Sequence, residues 1–346
     1  MKILALTTDG KLTYCSASPK NRCKGKCNHV AHQNEKESEE EFAKRVAKDL
    51  IKQAIGNERD EILNLSNSEK FDLINDRRNL DVLVNDKDSK VRVAVAKQGY
   101  GLDKLIDDKN VDVRIAVAEQ GYGLDRLVDD EDCNVRAAVA SQGYGLDKLV
   151  NDKTWHVRKA VADQGYGLDK LVGDNYTSIR VAVAEQGYGL DKLVDDENWI
   201  VRRTVARQGY GLNKLVNDED PDVRAAVAKQ GYGLDKLIKD KSCLVRSAVA
   251  EQGYGLDKLI NDSDLKVRKT VAEQGYGLDK LVDDKDWLVR KAVAEQGYGL
   301  DKLVGDKNLF VRVAVAEQGY GLDQLVNDES NEVREAVKEL LNKREG

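Results

Sequence analysis

The chain is poor in what most folds of its length use. Of its 346 residues only 5% are aromatic and 5 are cysteine, against 34% charged. So little aromatic mass excludes one thick core and suits a thin structure with much surface. No apolar run approaches the length of a membrane span, and Met1 to Leu6 is too short for a secretory leader. Three of the cysteines stand before residue 28. That crowding is no disulfide framework, so a reducing, cytoplasmic setting is expected. Positive charge is not in excess either: 56 basic against 62 acidic side chains leave −6. The bulk field that would draw in nucleic acid or an anionic membrane is therefore missing. No nucleophile, base and orienting acid recur together, so the chain does not read as an enzyme.

What the chain has in abundance is repetition. An arginine returns every 22 residues from Arg92, Arg114 and Arg136 to Arg334, twelve times without insertion. Between these arginines Gln-Gly-Tyr-Gly-Leu occurs eleven times, first at Gln98 and last at Gln318. Self-similarity at a fixed period marks an array in which each unit contacts mainly its neighbours. The expected fold is all-α, an elongated, curved α-solenoid of two-helix units with a small N-terminal module. At about 8–10 Å between packed helices, the steps would span on the order of 100 Å.

Each unit carries its own helix grammar. Four residues before the arginine stand Asp88, Asn110, Asp132, Thr154, Tyr176, Asn198, Asp220, Ser242, Asp264, Asp286, Asn308 and Ser330. All but Tyr176 can cap a helix start, and Pro221 sits at the first helical position, where proline loses no hydrogen bond. Val113, Ala116 and Val117 lie close together on one helix and face neighbouring units. Leu124, Leu127 and Val128 give a shorter second element a narrow apolar edge. The arginine is expected to be structural, pairing with the repeated aspartates such as Asp108 and Asp130, because a guanidinium fits a carboxylate bidentately.

The ends differ from the middle. Residues 1–35 form a separate module, where Ile3 to Thr8, Asp9-Gly10 and Lys11 to Ser16 read as a β-hairpin. Cys15, Cys23, Cys27, His29 and His32 follow one another closely, and thiolates with imidazoles are what zinc prefers. A structural zinc site is the first expectation; another metal or an iron–sulfur cluster and unliganded thiols stay open. In residues 36–56, Ser38 with Glu41 makes a capping box. Phe42, Val46, Leu50, Ile51, Ala54 and Ile55 then make one apolar stripe, with Gly56 as the stop. Residues 57–90 read as worn capping repeats, in which Lys70 takes the arginine phase with Ser66 four residues upstream. The regular array covers 91–333, and residues 334–346 form a charged capping helix.

The pattern Asp-x-x-Val-Arg-x-Ala-Val-Ala-x-Gln, seen from Asp220 to Gln230, resembles the variant leucine-rich repeat family over roughly residues 57–346. More loosely it resembles HEAT-like repeats. The resemblance implies a right-handed superhelix of alternating helices, and some members of the variant family carry an N-terminal iron–sulfur module. This chain has a shorter unit, Gln-Gly-Tyr-Gly in place of a proline-bearing turn, and three cysteines with histidines, which favours zinc over a four-thiolate cluster.

Function has to come from where the copies differ. Three residues before the arginine stand all the tryptophans, Trp155, Trp199 and Trp287, together with Leu309. Two before it stand His156, Ile200, Leu244, Leu288 and Phe310. A phase that also accepts Pro221, Cys243 and Asn331 is not tightly packed, so this ladder is expected to be exposed and to place the anchors of an interface. The plainer reading is that the large side chains fill gaps between adjacent helix starts. The expected function is a protein-binding repeat scaffold, monomeric and off the membrane. The alternative is a nucleic-acid-binding HEAT-like superhelix, or an acidic nucleic-acid mimic that binds a basic protein. Units such as Arg114 to Val135 are strongly acidic, which disfavours phosphate contacts.

Overall fold

A computed structural model describes residues 3–7, 12–15, 27–32 and 37–345, with only the backbone for residues 3–32, 39, 50–55, 57, 344 and 345. One unit shows how the sequence builds all the others. Asn198 is extended, and its side-chain oxygen accepts the Ile200 N–H at 2.9 Å. That satisfies one of the open amides of a helix start and launches the nine-residue helix Trp199–Arg207. The helix stops at Gln208 because Gly209 and Gly211 take left-handed backbone with φ of 75° and 63°, which side chains resist. A single turn, Leu212–Leu215, then runs back. Val201, Val205 and Ala206 of the first helix are fully buried, as are nearly all of Leu215 and Val216 from the second.

Contacts divide the chain into two compact bodies, residues 1–135 and 136–346. In the second, each first helix from Thr177–Glu185 to Leu309–Glu317 packs on the first helices before and after it. The series ends on the longer helix Asn331–Glu345. The repeating helix pair and its solenoid-like stacking are therefore present within this body. The turn is tight: a Cβ on Gly233 would lie 2.6 Å from Val216 Cγ2. From Gly167 to Gly321 the second glycine of each turn thus rests against the valine or isoleucine that closes the short helix of the unit before.

The first body begins with a short sheet in the order β2-β1-β3, of β1 (Ile3–Thr7), β2 (Leu12–Cys15) and β3 (Cys27–His32). The turn expected at Asp9-Gly10 lies outside the described residues. Ser38 and Glu41 form the expected capping box. The helix they start does not end at Gly56 but continues from Glu39 to Asn64. One glycine costs about 1 kcal/mol in a helix, less than the helix-forming run from Glu58 to the buried Ile62 returns. The worn unit is a single one. Ser66 caps Asn67–Asn75, and Lys70 lies 2.8 Å from Asp86, both nearly fully buried. Arg77 and Asn79, each at φ 55°, replace the two turn glycines.

Two expected caps work differently. Neither Thr154 nor Ser242 accepts a hydrogen bond from its helix, and Tyr176 has nothing to offer one. As in the other units, the aspartate two residues upstream holds the cap residue itself: Asp152 Oδ1 accepts the Thr154 N–H at 2.8 Å, and Asp240 Oδ1 accepts that of Ser242 at 2.8 Å. No helix among the described residues is long and apolar enough to cross a membrane.

Candidate functional site: the helix-start face

The frame that holds this face is an arginine–aspartate clamp, one in each unit. Arg224 donates from Nε and Nη2 to Asp240 at 2.6 and 2.9 Å, and from Nη1 to the carbonyls of Asp218 and Glu219 at 2.7 and 3.0 Å. The same fork recurs at Arg158–Asp174, Arg180–Asp196, Arg246–Asp262 and Arg290–Asp306, always sixteen residues apart. Burial pushes the Asp240 carboxyl up, but the Arg224 bonds, the Ser242 amide and the Arg224 charge outweigh it and hold it below its ordinary value. Arg224 is held above its own by the bond to Asp240. The expected pairing is present, and it joins the first helix of a unit to the loop that closes the same unit.

With the backbone so fixed, the three positions around the helix start are free to vary. Trp155, Leu244 and Phe310 are exposed, at 39%, 44% and 47%. Trp199, Ile200, Trp287, Leu288, Leu309 and His156 are half-buried. The tryptophans lean on their neighbours. Trp155 stacks on Tyr176 of the next unit with centroids 5.8 Å apart, and Trp287 stacks on Phe310 of the next at 5.4 Å. Trp199 lies under the guanidinium of Arg203 at 5.0 Å, a cation–π contact. His156 sits edge-on to Trp155 at 5.5 Å, with Nε2 buried and no hydrogen-bond partner among the described residues. The ladder is thus partly outward and partly spent on filling the steps between helix starts, so both sequence readings describe some of it.

The face is furrowed. In the first body, Ser89, Lys90, Val93 and Lys97 form one wall of a groove, and Asp112, Ile115, Ala116 and Glu119 of the next helix form the other. In the second body, lysines just after the arginine pair along the helix. Lys159 reaches Asp163 at 2.8 Å, and Lys291 pairs with Glu295. The chemistry on offer is apolar and aromatic contact with a rim of paired charges, which is how protein interfaces are composed.

The proposed metal ligands Cys15, Cys23, Cys27, His29 and His32 have no described side chains. The backbone register sets Cys15 and His32 both opposite Ile3, whereas Cys27 is opposite Thr7 and His29 opposite Leu6; Cys23 lies outside the described residues. Among the described residues no group of three or more histidine, cysteine or acidic side chains is placed to hold a metal ion.

A feature that variability among copies did not flag is the tyrosine of each Gln-Gly-Tyr-Gly turn. From Tyr100 to Tyr320 these side chains are 40–43% exposed. Exposure of an unvarying aromatic was the available signal. No protein-family profile matches the chain, and no curated protein matches it either.

Proposed function

We propose that this chain is a protein-binding repeat scaffold that engages its partner along the helix-start face. The observation that carries the reading is the exposure of Leu244 and Phe310 on a backbone held rigid by the repeated clamp. Large apolar side chains kept in solvent on a fixed frame are the form that interface anchors take. The clamp also argues against phosphate as the ligand. The guanidinia of Arg158, Arg180, Arg202, Arg224, Arg246, Arg268, Arg290 and Arg312 are each committed to an aspartate of the chain itself. Those guanidinia are not available to a nucleic-acid backbone, whose binding depends on arginine and lysine. Kinship with variant leucine-rich repeats, a cytoplasmic setting and a zinc-bound N-terminal module belong to the same proposal, on the strength of the sequence pattern.

The test uses the full chain as bait in native lysate beside the double variant Leu244→Asp/Phe310→Asp. A protein held by the parent and released by the variant supports the reading. The same proteins held equally by both would overturn it.

A further inference from the structure

A second surface runs along the opposite end of the first helices. In the body of residues 136–346, every tyrosine of a Gln-Gly-Tyr-Gly turn, from Tyr144 to Tyr320, stands in solvent at 41–43% exposure. Two of the turns are stitched to the helix end before them: Gln186 Nε2 donates to the Asp163 carbonyl at 3.1 Å, and Gln208 Nε2 to that of Glu185 at 3.3 Å. The tyrosines therefore form a row, one to a unit.

Three residues after each tyrosine comes an exposed aspartate, as at Asp169, Asp191, Asp235, Asp257, Asp279 and Asp301, with Asn213 the exception. Within the described residues neither these carboxylates nor the phenolic oxygens have an ion pair or hydrogen bond. Some of the lysines that follow this position reach back to the preceding unit: Lys214 pairs with Asp195, and Lys302 lies 3.3 Å from Asp283.

Other exposed positions have drifted, some of them even while paired, as Asp163 is with Lys159 and Lys229 with Glu251. Five residues after the arginine the units carry Ser141, Asp163, Glu185, Arg207 and Lys229 in succession. The tyrosine never changes between units and the aspartate changes once. Gln186 has its stitch, the glycines their positive φ, and Leu193 its burial. Tyrosine and aspartate have no such role inside the fold, and one helical turn has too small a dipole to require the acid.

We propose that this row is a docking track for an extended polypeptide bearing a lysine or arginine at every third residue. The face of a phenol ring and, three residues on, an unpaired carboxylate each attract a cation, one through the ring quadrupole and the other through its charge. The stride also fits. Packed helices repeat at about 8–10 Å, and an extended chain advances about 3.3 Å per residue, so three residues of the guest span one unit of the host. Each contact is weak, and the row gains affinity from many at once. The track is separate from the helix-start face, so either can fail without the other.

The test is fluorescence anisotropy with the full chain and a labelled peptide of about eight Arg-Ala-Ser triplets. A peptide of equal composition with its arginines clustered at one end, and a Glu-Ala-Ser counterpart, serve as comparators. The periodic peptide is expected to bind about tenfold more tightly than the clustered one, and the acidic one not at all. The triple variant Tyr210→Ser/Tyr232→Ser/Tyr254→Ser should lower that affinity about tenfold with unchanged helical circular dichroism. Should the serine variant lose helicity, Asp235→Asn/Asp257→Asn/Asp279→Asn carries the test with the same expected loss. Equal binding of periodic and clustered peptides, binding of the acidic peptide, or a folded variant that binds like the parent would each overturn the proposal.

Discussion

Arg202 grips Asp218 at two points, Nε to Oδ2 at 2.7 Å and Nη2 to Oδ1 at 2.9 Å, while its Nη1 donates to the carbonyls of Asp196 at 2.8 Å and Glu197 at 3.1 Å. Asp218 Oδ1 in turn accepts the Asp220 N–H at 2.9 Å, at the cap of the following helix. One side chain thus fastens the loop before its helix to the loop that closes its unit. Both charged groups are nearly buried, at 11% and 5% side-chain exposure.

Removing one member of such a pair strands the other in a dry site. Arg202→Ala is expected to destabilise the chain by about 3–5 kcal/mol in urea unfolding. Arg202→Lys should cost less, because Lys70 already fills this role against Asp86 in the worn unit, but it loses the fork and the carbonyl bonds. A change below about 1 kcal/mol for Arg202→Ala, the range of a surface pair, would show that the clamp is ornamental.

The clamp sets the acid limit. For Asp152, Asp174, Asp262, Asp284 and Asp306, burial acts upward, but the arginine bonds, the backbone amide and the arginine charge leave each carboxyl lowered. A lowered folded-state value contributes stability that is present above the unfolded value of about 3.9 and is lost as pH falls through the folded one. The melting temperature followed by circular dichroism should therefore hold from pH 7 to about 5 and fall steadily below about 4. A decline already complete by about pH 6 would point to other groups.

The two glycines of one turn should respond differently. At Gly231, φ is 74° but a Cβ would meet nothing within 4 Å, so Gly231→Ala should cost only the left-handed penalty of about 1–2 kcal/mol. At Gly233, φ is 64° and the new Cβ would come 2.6 Å from Val216 Cγ2, adding a steric clash worth about 1–3 kcal/mol more. Equal losses in the two variants would contradict this packing of the turn.

Much of this was legible in the sequence, and the exceptions have physical causes. The arginine period, Asn198 as a cap, Pro221 as the first helical residue and Lys70 in the arginine phase all appear where the spacing puts them, because each is local or recurs at fixed separation. Gly56 misled, since a stop signal is overridden when the residues beyond it continue a buried stripe. The burial of Trp287 depends on Phe310 in the next unit, a pairing across the repeat that no single unit reveals. The tyrosine row escaped a search for variation because it does not vary.

Half-buried tryptophans should show a mixed response. Trp287→Ala removes a stacked ring and is expected to cost about 1–2 kcal/mol, below the roughly 3–5 of a fully buried one. Leu244→Ala, at an exposed site, should stay within about 0.5 kcal/mol. A full core-sized loss at Trp287 would make it packing alone.

For the N-terminal module, elemental analysis of the purified chain should find about one zinc per molecule, held by Cys15, Cys23, Cys27 and His29 or His32. Chelation should free the thiols while leaving the helical signal of the array nearly intact. Protein that carries no metal and has freely reactive thiols would end that expectation.

The most direct measurement of the central claim is partner affinity and melting temperature taken together on the parent, Leu244→Ala and Phe310→Ala, using the partner recovered with the full chain. The account predicts unchanged melting and binding weakened by about 2 kcal/mol or more in at least one variant, the size typical of an interface anchor. Parent-like affinity in both would contradict it and remove the helix-start face as the binding surface.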